Sequence, residues 1–180
     1  RIVAELKAEN LVEETRLTAP YQGGPSAFLT LSKDRYVGAV EFSSGRVHVG
    51  VGSLTGEIRF SEWLELPDDA DLETVRATYR RALHQLTDYV RRTGIQLRQI
   101  AVSIPGYHED LPVNPIIAID PANILADIQA AQPGVALLAA NSIMTRAVAH
   151  QLKLGVSLVG GPYLYVFVGH GVAAALVDDF

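Results

Sequence analysis

Tyr36-Val37-Gly38-Ala39-Val40-Glu41-Phe42-Ser43-Ser44-Gly45-Arg46-Val47-His48-Val49-Gly50-Val51-Gly52 is the stretch whose reading decides the fold of this chain. Two apolar-rich runs, 36–42 and 46–52, are separated only by Ser43-Ser44-Gly45, and a third, 57–66, follows Ser53-Leu54-Thr55-Gly56. Runs of strand-forming residues joined by short turns that end in glycine predict a three-stranded antiparallel meander. Downstream the periodicity changes. Asp71 is placed to cap a helix running to Thr93 and stopping at Gly94, with Val75, Tyr79, Leu83, Leu86 and Val90 on one face. The run 99–104 reads as a strand stopped by Pro105-Gly106. Tyr107-His108-Glu109-Asp110 then fall on a loop at a strand's carboxyl end, where open α/β sheets gather ligands. Asp120-Pro121 opens a second helix to about residue 131. A buried strand is expected over 135–139, ended by Asn141-Ser142, then a helix over 143–154 and a hairpin of strands 163–168 and 171–177 about Gly169-His170.

Ahead of the meander, Ile2, Leu6 and Leu11-Val12, with Ala4 and Ala8 between them, form the pattern of an amphipathic helix cut at its front. Extended stretches at 12–17 and 27–31 flank the loop Pro20-Tyr21-Gln22-Gly23-Gly24-Pro25. A helix followed by a two-stranded ribbon reads as the tail of a winged helix. With no initiator Met, and with Asp178-Asp179-Phe180 directly after a strand, further sequence is expected on both sides.

Composition narrows the class. At 180 residues, 48% hydrophobic and 19% charged, the chain has enough apolar side chain for one large domain with a real core, and it is not collagen, coiled coil or disordered. Its longest apolar stretches, 134–140 and 171–177, are far short of the roughly 20 residues of a spanning helix, so no membrane span is expected. The absence of Cys excludes disulfides and Cys-ligated zinc or iron–sulfur centres within these residues, and without a signal-peptide pattern it favours the cytoplasm. Fifteen Lys and Arg against 20 Asp and Glu leave a charge of −5, which argues against a broad nucleic-acid footprint. An acidic run (Glu57, Glu62, Glu65, Asp68, Asp69, Asp71, Glu73) precedes a basic one (Arg76, Arg80, Arg81, Arg91, Arg92, Arg98), and both read as solvated faces. His48, His84 and His150 lack metal-ligand spacing and default to helix or strand surfaces. Trp63, Tyr79 and Tyr89 are expected in the core or at a subunit interface. No P-loop, Rossmann fingerprint or nucleophile elbow occurs.

The order of elements resembles the first lobe of the actin, hexokinase and Hsp70 (ribonuclease H-like) nucleotide-binding fold, an α/β arrangement. Within it the sequence resembles the ROK family of repressors, open reading frames and sugar kinases, over nearly all of its length. The opening Arg1-Ile2-Val3-Ala4-Glu5-Leu6 to Val12-Glu13-Glu14 is similar to the end of a ROK repressor's recognition helix and wing entry, and Gln22-Gly23-Gly24-Pro25 stands at the wing turn. The segment 36–46 lies over the first phosphate motif, "G-V-D-x-G-G-T-K". Ala101-Val102-Ser103-Ile104-Pro105-Gly106 matches "G-V-x-x-P-G", Val113-Asn114-Pro115 resembles "x-P-N", and Ala140-Asn141-Ser142 matches "E-N-D". The segment 165–175 lies over the second phosphate motif, "V-x-x-G-T-G-I-G-x-G".

The resemblance implies a winged helix-turn-helix remnant and linker at 1–34, the first lobe of a sugar-kinase-like domain at 35–158 and the start of a second lobe at 159–180. It implies sugar contacts from Gly106, His108, Asn114, Asn141 and Ser142, and degenerate phosphate motifs at Glu41, Ser43, Ser44, Gly45 and Arg46 and at Gly169, His170 and Gly171. Three departures then bear on function. The kinase base, the Asp of "E-N-D", is Ser142 here, whose hydroxyl is no base near neutral pH. Ser43 and Ser44 replace the first motif's Gly pair, Ala173 and Ala175 replace glycines of the second, and phosphate-cradling backbone depends on residues without Cβ. Glu41 replaces the Asp of the first motif.

The expectation is therefore not an enzyme but a sugar-responsive regulator of the NagC- and XylR-like branch, a repressor, with a catalytically inactive effector domain. Its partners would be a sugar or sugar derivative, DNA through the winged helix and further copies of itself. It needs no cofactor within these residues, the family's Cys-rich zinc motif lying downstream. The alternatives are a divergent ATP-dependent sugar kinase with another base and a non-catalytic oligomerisation module. The residues carry plainer readings as well. Asn141 satisfies local backbone, Ser142 caps the helix that follows, His108-Glu109-Asp110 is a solvated loop, and Arg46 and His170 are turn residues rather than anion contacts.

Overall fold

The computed structural model describes residues 1–16, 27–43, 45–67, 69–107, 120–154, 161–169 and 171–178. Helix α1 (Ile2–Ala8) leads into an antiparallel ribbon of β1 (Val12–Arg16) and β2 (Ala27–Leu31). The meander follows as β3 (Tyr36–Ser43), β4 (Arg46–Ser53) and β5 (Ile58–Glu65), then α2 (Leu72–Thr93) and β6 (Leu97–Ile104). The chain continues through α3 (Pro121–Ala131), β7 (Ala136–Asn141), α4 (Ser142–Leu154), β8 (Tyr163–Val168) and β9 (Val172–Val177). The central sheet has the order β5-β4-β3-β6-β7, antiparallel through the meander and parallel from β3 across β6 to β7.

Strand alternation sorts the side chains of this sheet onto two faces. Val40 and Phe42 of β3, Val47, Val49 and Val51 of β4, Leu64 of β5 and Ile100, Val102 and Ile104 of β6 are buried together with Tyr79, Ala82, Leu83 and Leu86 of α2 and Ile124 and Ile128 of α3. The intervening residues Glu41, Ser43, Arg46, His48 and Ser103 are thereby sent to the opposite face, and α4 packs on that side, where Thr145 meets Ser103 at 2.9 Å. The ends of α2 are set as expected. Asp71 accepts a hydrogen bond from the Thr74 N–H at 2.8 Å, and Gly94 closes the helix in the left-handed region. Asp120 caps α3 through the Ala122 N–H, with Pro121 in its first turn. The Tyr79 hydroxyl donates to the Ile124 carbonyl at 2.9 Å and ties the two helices together; burial pushes its phenol well above the ordinary range.

Two peripheral pieces are attached to this core. The Arg35 guanidinium donates to the carbonyls of Glu9 and Asn10, holding the end of α1 against the start of β3. The β8–β9 hairpin forms its own small sheet and packs on α4 through Ala147, Ala175 and Val177. No described helix is long and apolar enough to cross a membrane.

Three expectations change. The strand expected to be buried over 135–139 is β7, at the edge of the sheet, where Ala136 and Leu138 face outward and Leu138 is 53% exposed. Continuous apolar sequence and burial part company there because an edge strand has a sheet neighbour on one side only. Trp63 is not in the core either. It alternates with the buried Leu64, so it stands on the solvent face of β5. Finally, α4 starts at Ser142, one residue earlier than its apolar pattern suggests.

Candidate functional site

The parallel strands β3, β6 and β7 all end at the same side of the sheet, and a cleft of about 760 Å³ opens there. It is lined by Ser43, Gly45 and Arg46 from the β3–β4 turn, Pro105 and Gly106 after β6, and Asn141, Ser142 and Arg146 at the start of α4. The hairpin supplies Phe167, Gly171, Val172 and Ala173. Ligand clefts form outside the carboxyl ends of parallel strands because loops leave the sheet together there. Gly45 and Gly106 both take positive φ, 75° and 63°, a backbone region that side-chain-bearing residues rarely adopt, so both tight exits depend on glycine.

Most of the site residues expected from sequence do converge. Gly106, Asn141, Ser142, Ser43, Gly45, Arg46 and Gly171 share the cleft, with Glu41 directly beneath it; Gly169 is described but does not line it. Ser44, His108, Asn114 and His170 lie outside the described residues.

Asn141 is held in place from both ends. Its Nδ2 donates to the Tyr107 carbonyl at 3.2 Å and its Oδ1 accepts from the Ile143 N–H at 3.0 Å. It therefore both caps α4 and pins the strand end to the turn after β6. This corrects the reading of Ser142 as the cap. A capping side chain must come from the residue just before the helix, and Ser142 is already its first residue. Freed of that duty, the Ser142 hydroxyl has no hydrogen-bond partner among the described residues. Asn141→Ala is expected to cost about 1 kcal/mol of stability through the lost cap, and Asn141→Asp, which keeps the acceptor, to recover most of it in chemical denaturation.

The polar floor is organised around Glu41. Arg146 donates to Glu41 Oε1 from Nη2 at 2.7 Å and from Nε at 3.2 Å, while its guanidinium carbon lies 4.6 Å from the centre of the Phe167 ring. His48 Nδ1 is 3.8 Å from the other Glu41 oxygen, and His48 Nε2 is 2.9 Å from the Ser61 hydroxyl. The His48 ring stacks on Trp63 at 3.7 Å with the planes 6° apart, and the Arg46 guanidinium sits 4.2 Å from the same indole. His48 is thus part of a packed network rather than a plain strand-surface residue. Sequence reasoning missed Arg146. The available signal was its spacing: Ser142 and Arg146 are four residues apart and so share the helix face turned to the cleft.

Burial lowers the His48 pKa below its ordinary 6.5, Glu41 pulling it upward and Arg46 adding to the decrease. In the unfolded chain His48 binds its proton more readily, so the folded state loses stability as the pH falls below about 6.5 toward the lowered native value. Comparing unfolding free energies of the wild type and His48→Gln from pH 8 to pH 5 checks this; the variant is expected to lose less stability on acidification.

As chemistry, the cleft offers guanidinium, hydroxyl, amide and backbone groups. A serine hydroxyl does not accept a proton near neutral pH, and no cluster of three or more His, Asp or Glu among the described residues is placed to hold a metal ion.

The fold and the cleft define a class: an α/β lobe of the actin and hexokinase type, with a cleft at the carboxyl ends of the parallel strands. More particularly, its neighbours among solved structures include ROK family proteins. A ROK family transcriptional regulator, a homolog of the E. coli MLC protein, superposes with a TM-score of 0.73 at 20% identity, over 99% of this chain and 46% of its own. A putative sugar kinase from Cytophaga hutchinsonii gives 0.61 at 14% identity, over 79% of this chain and 48% of its own. A ROK family glucokinase from Streptomyces griseus, in complex with glucose and AMPPNP, gives 0.55 at 13% identity, over 79% of this chain and 44% of its own. The chain thus spans less than half the length of each of these proteins. No protein-family profile and no curated protein matches it by sequence.

Proposed function

We propose that this chain is the effector-binding lobe of a sugar-responsive, ROK-type transcriptional regulator, a repressor without kinase activity. The observation that carries this reading is the state of the cleft floor. Ser142 stands where a phosphoryl-transfer enzyme of this fold would need a carboxylate base, and Glu41 beneath it is already engaged by the Arg146 guanidinium. Catalysis of phosphoryl transfer rests on a group that accepts or orients the proton of the attacking hydroxyl.

The alignment lengths support the same reading. The regulator covers 99% of the 180 residues and the two kinases 79%, a difference of 36 residues, and β3 begins at Tyr36, after α1, β1 and β2. On this reading α1 and the β1–β2 ribbon are the tail of a winged helix, and DNA and further copies of the chain are partners of the whole protein. A sugar in the cleft would act by favouring one arrangement of the DNA-binding heads over another, which requires different affinities for the two. The lobe needs no cofactor of its own.

The test pairs two measurements on one preparation. Sugars should raise the melting temperature in a saturable way, and incubation with ATP, magnesium and the same sugars should yield no sugar phosphate above a heat-inactivated control. ATP-dependent product would transfer the assignment to a sugar kinase, the class in which neighbours such as the ROK family glucokinase are named. Absence of any sugar response would leave the fold as an oligomerisation module.

A further inference from the structure

We infer that Arg146 is a strap. It fastens the β8–β9 hairpin, one wall of the cleft, to Glu41 on β3, and when that bond opens, α4 and the hairpin swing away from the central sheet together. The inference goes beyond the proposed function and does not depend on it, while it supplies two arrangements between which a ligand could discriminate.

The hairpin has one footing. Among the described strands β8 and β9 pair only with each other, and a two-stranded ribbon has little stability of its own in water. Its outer face, Leu164, Val166, Val168, Val172 and Leu176, is 51–75% exposed. The inner residues of β8, Tyr163, Tyr165 and Phe167, alternate onto α4 instead. The Tyr163 hydroxyl donates to the Ala147 carbonyl at 3.1 Å, and the Tyr165 ring lies 5.6 Å from that of His150. Phe167 receives the Arg146 guanidinium at 4.6 Å, and Ala175 and Val177 close on Ala147. The hairpin therefore travels with α4.

The helix in turn is tied to the central sheet near its start. Asn141 anchors its root, Thr145 meets Ser103 at 2.9 Å, and Arg146 places Nη2 and Nε on Glu41 Oε1 at 2.7 and 3.2 Å. After Arg146, no described side chain of α4 hydrogen-bonds to that sheet, and Leu152 is 72% exposed. Arg146 is thus the one described residue of α4 with a polar bond to the sheet and a ring contact in the hairpin. Its bond to Glu41 is charge-assisted and doubled, which holds the closed arrangement. The two side chains are 29% and 22% exposed, so water has access to the pair and can replace either partner. Opening leaves Arg146 on Phe167 and carries Phe167, Gly171, Val172 and Ala173 outward, which widens the cleft they line.

The sequence contains no Cys, so spin labels can be attached at chosen positions without background. Labels on Arg92→Cys, exposed on α2, and Leu164→Cys, exposed on β8, report the separation of hairpin and central sheet by double electron–electron resonance. Expected in the wild type is one dominant distance. Glu41→Gln should raise the population of a longer distance by about tenfold, the scale of one lost hydrogen bond to a charged group. Arg146→Lys, which keeps the charge without the second N–H and the flat contact with Phe167, should raise it by less. Amide hydrogen exchange on the same variants is expected to speed up in β8, β9 and α4 while β4 and β6 stay as protected as in the wild type. An unchanged distance distribution in both variants overturns the strap. So does exchange that rises in β4 and β6 as much as in the hairpin, since that pattern marks general destabilisation. Neither readout contains a ligand, so failure here leaves the sugar-sensing reading standing, and failure of that reading in the sugar and ATP assays leaves the strap standing.

Discussion

Phe42→Ala should destabilise the protein by about 3–5 kcal/mol, the range for removing a buried aromatic ring from a packed core. Phe42 is the last inward-facing residue of β3, 1% exposed, with its ring centre 5.4 Å from that of Tyr79. Its neighbours Val40, Val47 and Ile104 come from three different strands and cannot close the gap without breaking the sheet's register. The residue also touches the cleft, so the same cavity would loosen the turn carrying Ser43, Gly45 and Arg46. Phe42→Leu, which leaves a smaller void, is expected to lose only about 1–2 kcal/mol. Urea unfolding of both variants, with the slope compared to wild type, checks the order. A loss below 1 kcal/mol for the alanine variant would mean that the sheet and α2 are not packed as described.

Arg146→Ala should cost about 1–3 kcal/mol, more than an exposed ion pair and less than a fully buried one. The side chains of Arg146 and Glu41 are 29% and 22% exposed, so solvent screens the pair in part. The dominant effect is what the substitution leaves behind: a Glu41 carboxylate confined beside His48 without its cation. The double variant Glu41→Gln/Arg146→Ala removes that uncompensated charge and should be more stable than Arg146→Ala alone, giving a coupling of about 1–2 kcal/mol in a double-mutant cycle. If the single and double variants unfold at the same denaturant concentration, the pair does not bind α4 to β3. Because Arg146 belongs to the cleft wall, its loss would also be felt in ligand affinity.

The legible part of this architecture was the part written in local patterns. The meander, α2 with Asp71 and Gly94 at its ends, and α3 with Asp120-Pro121 appear within one or two residues of their expected positions, because period-2 runs, caps and tight turns are decided by neighbours in sequence. The cleft was legible at Gly106, Asn141, Ser142 and the 43–46 turn, since each follows directly from where a strand must stop. Resemblance to a kinase-like lobe was readable through motifs spread over the chain, and the shared fold bears it out. Burial was less legible. Ala136-Leu137-Leu138-Ala139-Ala140 is uniformly apolar, yet its strand lies at the edge of the sheet.

The sequence by itself determined which segments become strands and helices, and it put Ser142 rather than a carboxylate at the mouth of α4, since these follow from side-chain chemistry and short-range periodicity. Only the tertiary structure decided what Glu41 does, because its partner Arg146 is 105 residues away and His48 reaches it across a strand pair. It likewise decided that Asn141 rather than Ser142 caps the helix, and that Trp63 carries Arg46 and His48 on the open face of the sheet. Such contacts depend on sheet order and on which face each helix covers, and these are set by burying the shared core of β3, β4, β6, α2 and α3 rather than by any one segment.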